Sequence, residues 1–304
     1  MPDIIALGEP MIEFNEEPDG RYLQGFGGDT SNAAIAAARL GAGVRYVTQL
    51  GQDRFGDAFV ALWQREGVET AFVGRKDTGP TAVYFVNHSA AGHAFTYFRA
   101  HSAASAMAPS SFPDAAFTGA KYLHVSAVSQ GISISARETV AHAITIAHQS
   151  GAQLSYDTNL RLRLWSLEDA KLVIEATARK AQILKTSIDD ARTLTTLQSA
   201  DDVADHYLGL GAGIVVVTLG AEGALVATPQ QRQQIAPHKV ASVDATGAGD
   251  AFAGALLASF AHGLDPFAAA RFANAAAALA TTGYGAVAPL PTRPEVERML
   301  ATAA

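Results

Sequence analysis

Val243-Asp244-Ala245-Thr246-Gly247-Ala248-Gly249-Asp250-Ala251-Phe252 passes from an extended run into a helix through two closely spaced glycines, with an acid in the helix's first turn. Gly247 and Gly249 permit a tight turn and close backbone approach by an anion. The free amides of the first turn, aided by the helix dipole, face that anion. A carboxylate at Asp250 is then placed to take a proton from a hydroxyl while the amides steady a transferring phosphoryl group. Residue type alone leaves a plainer alternative open, in which Asp250 complements the dipole and the glycines only make a turn.

Outward from this turn the chain alternates strand and helix. Strands are expected at 122–125, 153–156, 182–184 and 214–218, with helices at 135–148 and 167–180 between them. That rhythm predicts a mainly parallel sheet covered on both faces. Short strands near 224–227 and 233–236 precede the helix at about 247–260, and an alanine-rich helix at 266–281 follows. Upstream, the spacing predicts a buried strand at 4–7, helices at 30–40 and 54–66, and a strand at 44–50. Shorter runs at 11–15 and 21–25, and an aromatic pair at 81–87 and 94–99 joined by a turn containing Gly92, read as a small peripheral sheet. No repeat or linker separates two units. One α/β domain over 1–304, with lid strands drawn from about 11–25 and 81–99, is the economical reading.

Composition narrows the function. The formal charge is −7 and the basic residues are dispersed, so no nucleic-acid track is expected. There are no cysteines, which removes disulfides, thiolate catalysis and zinc–thiolate sites. His142 and His148 lie six apart and share no helix face, so they make no metal pair. The amino terminus lacks a secretory pattern, and no run reaches about 18 uninterrupted apolar residues. A soluble cytoplasmic enzyme is expected. Gly8-Glu9-Pro10 after the first strand is not a dinucleotide fingerprint.

The full string Asp244-Ala245-Thr246-Gly247-Ala248-Gly249-Asp250 resembles the carboxy-terminal signature of the ribokinase-like, or PfkB, carbohydrate kinases. Gly27-Gly28-Asp29-Thr30-Ser31-Asn32 resembles that family's amino-terminal signature, and Thr218-Leu219-Gly220-Ala221-Glu222-Gly223 its nucleotide turn. The resemblance implies a ribokinase-like α/β fold, with a mainly parallel central sheet, helices on both faces and a small β-sheet lid. It implies ATP as phosphoryl donor and Mg²⁺ as metal, with Asp250 as catalytic base and Gly247, Ala248 and Gly249 as anion hole. Sugar hydroxyls are implied beside Gly28, Asp29 and Asn32. ATP is implied beside Asn159, Ser187, Thr218, Gly220, Gly223, Gly247, Gly249 and Asn274. The family's metal motif departs here to Ser187-Ile188-Asp189-Asp190, which leaves Asp190 as a metal residue acting through water.

Within the family, Gly8 to Phe14, Tyr97 to Ser105 and Tyr156 to Trp165 resemble the 2-keto-3-deoxygluconate kinases. That resemblance implies a sugar-acid substrate whose carboxylate meets Arg99 and Arg161, beneath Tyr84 and Tyr97 of the lid. Arginine's planar fork suits a carboxylate. Arg163, two residues on in a segment read as extended, is expected to point the same way as Arg161 and is the reserve. Gly283-Tyr284-Gly285-Ala286 lacks the acid that some of these kinases place there. A kinase for a neutral sugar or nucleoside, and a non-catalytic sugar sensor, are the alternatives. Unpaired lid edges predict association of two or more copies through the lid.

Overall fold

The structure, a computed structural model, describes residues 1–89 and 92–302. Its strands are β1 (Ile4–Leu7), β2 (Met11–Glu16), β3 (Tyr22–Gly27), β4 (Val44–Gly51), β5 (Val73–Lys76), β6 (Ala82–Ser89), β7 (Gly92–Phe98), β8 (Tyr122–Ser126), β9 (Gln153–Asp157), β10 (Ile183–Ser187), β11 (Ile214–Thr218), β12 (Ala224–Ala227) and β13 (Arg232–Ile235). Its α-helices are α1 (Asp29–Arg39), α2 (Arg54–Arg65), α3 (Ala127–Gly131), α4 (Ile134–Gln149), α5 (Leu167–Ala178), α6 (Ile188–Thr195), α7 (Ala200–Leu210), α8 (Ala248–Ala261), α9 (Pro266–Ala280) and α10 (Arg293–Thr302).

The main sheet is nine-stranded in the order β13-β12-β11-β10-β9-β8-β1-β4-β5. From β5 to β11 all neighbours pair parallel, and β12 and β13 add an antiparallel edge. Alternation along each strand sends side chains to two cores. Ile4, Ala6, Ile183 and Val216 face α1, α8 and α9, whereas Ile5, Leu7, Leu184, Val215 and Val217 face the side covered by α4, α5 and α7. No helix among the described residues is long and apolar enough to cross a membrane.

The second sheet, β3-β2-β6-β7, is the peripheral sheet that the aromatic runs predict. It is mixed: β2 pairs parallel with β6, and the flanking pairs are antiparallel. Gly92, expected in the turn between its last two strands, opens β7 instead, and the rest of that turn, 90–91, is outside the described residues.

Small residues bring α1 and α8 together. A β-carbon on Gly254 would stand 2.3 Å from the carbonyl oxygen of Ala33 and 2.7 Å from the Ala36 β-carbon, so only glycine allows this approach. The start of α1 is pinned as well. Thr30 Oγ1 hydrogen-bonds Tyr46 at 2.9 Å, and Ser31 Oγ accepts from the buried Trp63 indole at 3.1 Å. These contacts hold the first turn of α1 to β4 and α2, while Gly254 brings α8 alongside it.

Candidate active site

Ligands of open α/β sheets bind outside the carboxyl ends of the strands, and here the residues in question gather at that edge. Gly28 sets the geometry. Its φ of 99° is one that side chains rarely adopt, and a β-carbon there would stand 2.4 Å from the Glu9 carbonyl oxygen. The glycine thus lets α1 start hard against the loop that leaves β1. Asp29 and Asn32 follow in the first turn. Asp29 Oδ2 accepts from Asn159 Nδ2 at 2.7 Å, and Asn32 Nδ2 donates to Asp250 Oδ2 at 2.8 Å. The other amide atom of Asn32, Oδ1, is buried without a partner among the described residues. Buried acceptors are seldom left so, and a ligand hydroxyl would satisfy this one.

Asp250 sits in the first turn of α8, where no side chain caps the helix and Gly247 adopts φ 76°. The amides of Gly249 and Asp250 have no partner among the described residues, which leaves them for an anion. Burial, then the charge of Asp29, push the Asp250 carboxyl up to about 7. Asp244 closes the loop behind it: Oδ1 accepts from the Thr246 amide at 2.9 Å, and Oδ2 from the Gly285 amide at 2.9 Å.

On the neighbouring strands, Ser187 and Thr218 are register partners at the ends of β10 and β11. Ser187 caps α6 by accepting from the Asp190 amide at 3.0 Å. Gly220 lies in the short turn between β11 and β12, and Gly223 packs on the Ile235 carbonyl. Asn274 of α9 donates to the Ala236 carbonyl at 2.7 Å, so the Thr218–Gly223 turn, the exit of β13 and Asn274 form one wall. Asn159, expected with the nucleotide, has its amide on Asp29 instead, beside Asn32.

The arginines separate. Arg99 forms an ion pair with the buried Glu9, whose other oxygen accepts from Ser102 at 2.5 Å. Its charge is therefore met from within the chain. Residues 162–164 form a turn rather than the expected extended segment, closed by Leu164 donating to the Arg161 carbonyl at 2.9 Å. Arg161 and Arg163 consequently diverge. Arg161 is exposed, donates to its own Leu160 carbonyl at 2.8 Å, and its charge acts on Asp190. Arg163 reaches the lid and donates to the Phe95 carbonyl at 2.8 Å.

In the lid, Tyr84 is buried against the Gly27 backbone and its hydroxyl donates to Glu13. Tyr97 stacks on it with ring centroids 5.7 Å apart. Burial raises the Glu13 carboxyl.

Three participants went unread in the sequence. Glu9 and Glu13 lie within Gly8 to Phe14, where nothing local marks a role for either. Lys185 ends the apolar run of β10, where a buried ammonium needs a partner, and it finds Asp157 Oδ2 at 2.7 Å. Lysine is almost never buried unpaired, so its position directly after the apolar Ile183-Leu184 is the available signal.

For a metal, no group of three His, Asp or Glu converges among the described residues. Mg²⁺ keeps several waters and needs only one or two carboxylates besides phosphate oxygens. Asp190 fits that need: its Oδ2 is held by the Leu160 amide at 3.2 Å, and burial raises its carboxyl.

A carboxylate pushed up toward neutrality at a helix N-terminus without a side-chain cap, beside a buried amide oxygen that lacks a partner among the described residues, suits a phosphotransferase-type site. Residues 1–293 match the pfkB family of carbohydrate kinases, and the chain belongs to that family. It is similar to the probable fructokinase-4 of Arabidopsis thaliana, at 33% identity over 98% of this chain and 96% of that one. It is similar to the 2-dehydro-3-deoxygluconokinase of Thermoproteus tenax, at 32% over 99% and 94%. Among solved structures, it resembles a fructokinase with bound ATP from Xylella fastidiosa, with a TM-score of 0.91 at 28% identity over 100% of this chain and 99% of that one. The ribokinase-like fold, with its mainly parallel sheet and smaller lid sheet, is as the motifs imply.

Proposed function

We propose that this carbohydrate kinase transfers the γ-phosphoryl group of ATP to the terminal hydroxyl of a sugar acid, 2-keto-3-deoxygluconate, with Asp250 as base. The observation that carries the reading is Asp250 itself, whose carboxyl lies near neutrality where it contacts Asn32 and opens α8. The hydroxyl oxygen bonds to the γ-phosphorus as the bond from that phosphorus to the β-phosphate oxygen breaks. Asp250 takes the hydroxyl proton and later passes it to water, and ADP leaves.

Asp29 and Asn32 orient the sugar at the Gly28 turn, with Asn32 Oδ1 accepting from a hydroxyl. In the turn of Gly247, Ala248 and Gly249, the amide of Gly249, with that of Asp250, faces the phosphoryl group, since Ala248 donates its own to the Ala245 carbonyl at 3.2 Å. The nucleotide lies along Ser187, Thr218, Gly220, Gly223 and Asn274. Mg²⁺ bound there would neutralise phosphate charge, with Asp190 holding it through water. Tyr84 and Tyr97 exclude water from above, which suppresses ATP hydrolysis. Exposed apolar lid residues make the lid the contact between two copies of the chain.

The sugar-acid reading is supported by Arg161, which is exposed and whose guanidinium has only the Leu160 carbonyl as hydrogen-bond acceptor among the described residues. Similarity to a 2-dehydro-3-deoxygluconokinase agrees with it. Fructose is the second reading, favoured by the fructokinase relatives and by Glu9, which already balances Arg99. ADP release measured with 2-keto-3-deoxygluconate, gluconate, fructose and ribose separates them. Higher kcat/KM on fructose than on the keto acid would reject the sugar acid.

A further inference from the structure

Lys185 occupies a place that the transfer chemistry above leaves unused. It is buried in the middle of β10, with its ammonium donating to Asp157. Buried ion pairs are often no more stabilising than apolar residues of the same volume, so stability alone gives little reason for this one. Its surroundings give another. The ammonium nitrogen is 3.4 Å from where a β-carbon on Gly249 would stand, so it lies directly beneath the phosphate-facing turn. Charged groups reach Asp250 from three other elements: Asp29 from α1, Asp157 from β9 and Lys185 from β10. Tyr84 of β6 lies near enough to feel Asp250, and Asp190 of α6 acts on Lys185. Lys185 is the one cation in that set, and the reaction adds the negative charge of a triphosphate.

We propose that Lys185 is a positioning residue of the phosphoryl-transfer site: anchored by Asp157 beneath Gly249, its ammonium balances the surrounding carboxylates and draws the terminal phosphate onto the turn. The proposal rests on the reading of Asp250 as base. It makes a signed claim. Without the ammonium, Asp250 faces Asp29 and Asp157 uncompensated and holds its proton more tightly. Without the Asp157 charge, it holds the proton less tightly. A pair that merely supported the fold would lower activity without moving the titration in opposite directions.

The test is the pH dependence of kcat/KM for ATP in the full chain, for wild type, Lys185→Met, Asp157→Asn and the double variant. The acid limb should rise by roughly one pH unit in Lys185→Met, a loss of about tenfold at pH 6 beyond any loss at pH 9. It should fall in Asp157→Asn. If Lys185→Met does not fold, the double variant, whose site is neutral, takes its place: its limb read against that of Asp157→Asn isolates the ammonium. Limbs that coincide, or that move in the same direction, overturn the role of Lys185. A wild-type profile with no acid limb, or a limb that persists in Asp250→Asn, overturns the base instead.

Discussion

The side-chain amide of Asn32 donates to Asp250 Oδ2 at 2.8 Å across 218 positions of sequence. One contact thus joins the two ends of the chain's chemistry. It turns one carboxylate oxygen toward α1 and leaves Asn32 Oδ1 buried and open to a ligand. Each function proposed for the site depends on that orientation.

If Asp250 is the base, Asp250→Asn preserves the shape and hydrogen bonding of the site and removes proton abstraction. Turnover should fall by about 10²–10⁴-fold, with little change in sugar affinity. Coupled ADP assays and calorimetric sugar titration measure the two separately. Retained turnover would remove Asp250 from the chemistry.

The same carboxyl, pushed up to about 7, has two pH consequences of defined sign. Activity requires the ionised form, so kcat/KM should climb as pH rises through about 7 and level off above it. Stability runs the other way. The folded state holds this proton above the pH at which the unfolded chain has lost it, so the contribution is lost as pH rises toward 7. Asp250→Asn escapes that loss and should be more stable than wild type at pH 8.5 by on the order of 2 kcal/mol, with a smaller gain at pH 5. Thermal melts at both pH values check this.

Replacing Arg161 with Met discriminates between substrates. With a sugar acid, loss of a charge-assisted pair should raise KM by roughly 10- to 100-fold. With fructose the change should be small. An equal effect on both would make Arg161 a structural residue.

Gly28→Ala tests the backbone on which the sugar side is built. The φ of 99° and the 2.4 Å approach to Glu9 leave a methyl group no room. We expect a loss of about 2–4 kcal/mol in urea unfolding, together with reduced kcat as the first turn of α1 shifts. An unchanged midpoint would contradict the geometry.

The lid leaves Leu23 57% and Phe98 60% exposed, unusual for large apolar side chains on a monomer's sheet. Light scattering should give the mass of at least two chains. Leu23→Asp or Phe98→Asp should reduce it to one, and a wild-type mass of a single chain would remove the lid contact.

Much of this was readable because local chemistry carried it. Alternating strands and helices placed β8, β9 and β11 within a residue and β10 within three, and the glycine turns located both ends of the site. The helices α6 and α7 passed unnoticed although Ser187 and Ser199 each cap with an Asp three residues on, a start signal independent of apolar periodicity. β5, Val-Gly-Arg-Lys and only half-buried, offered no alternation to read. Site residues whose meaning depends on a distant partner were the ones missed. Glu9 acquires its role from Arg99, Glu13 from Tyr84, and Lys185 from Asp157. The expectation that Arg161 and Arg163 point the same way fails because a four-residue turn, invisible in their spacing, replaces the extended segment.

Gly254, which admits α8 against Ala33, also sets an order of events in synthesis. The face of α1 that carries Asn32 stays uncovered until residues 248–261 of the 304 have been made. Asp29 and Asn32 therefore leave the ribosome more than two hundred residues ahead of the carboxylate they serve. Activity reports that the chain has closed at least as far as α8, because no amino-terminal fragment that stops short of residue 250 contains both halves of the Asn32–Asp250 contact.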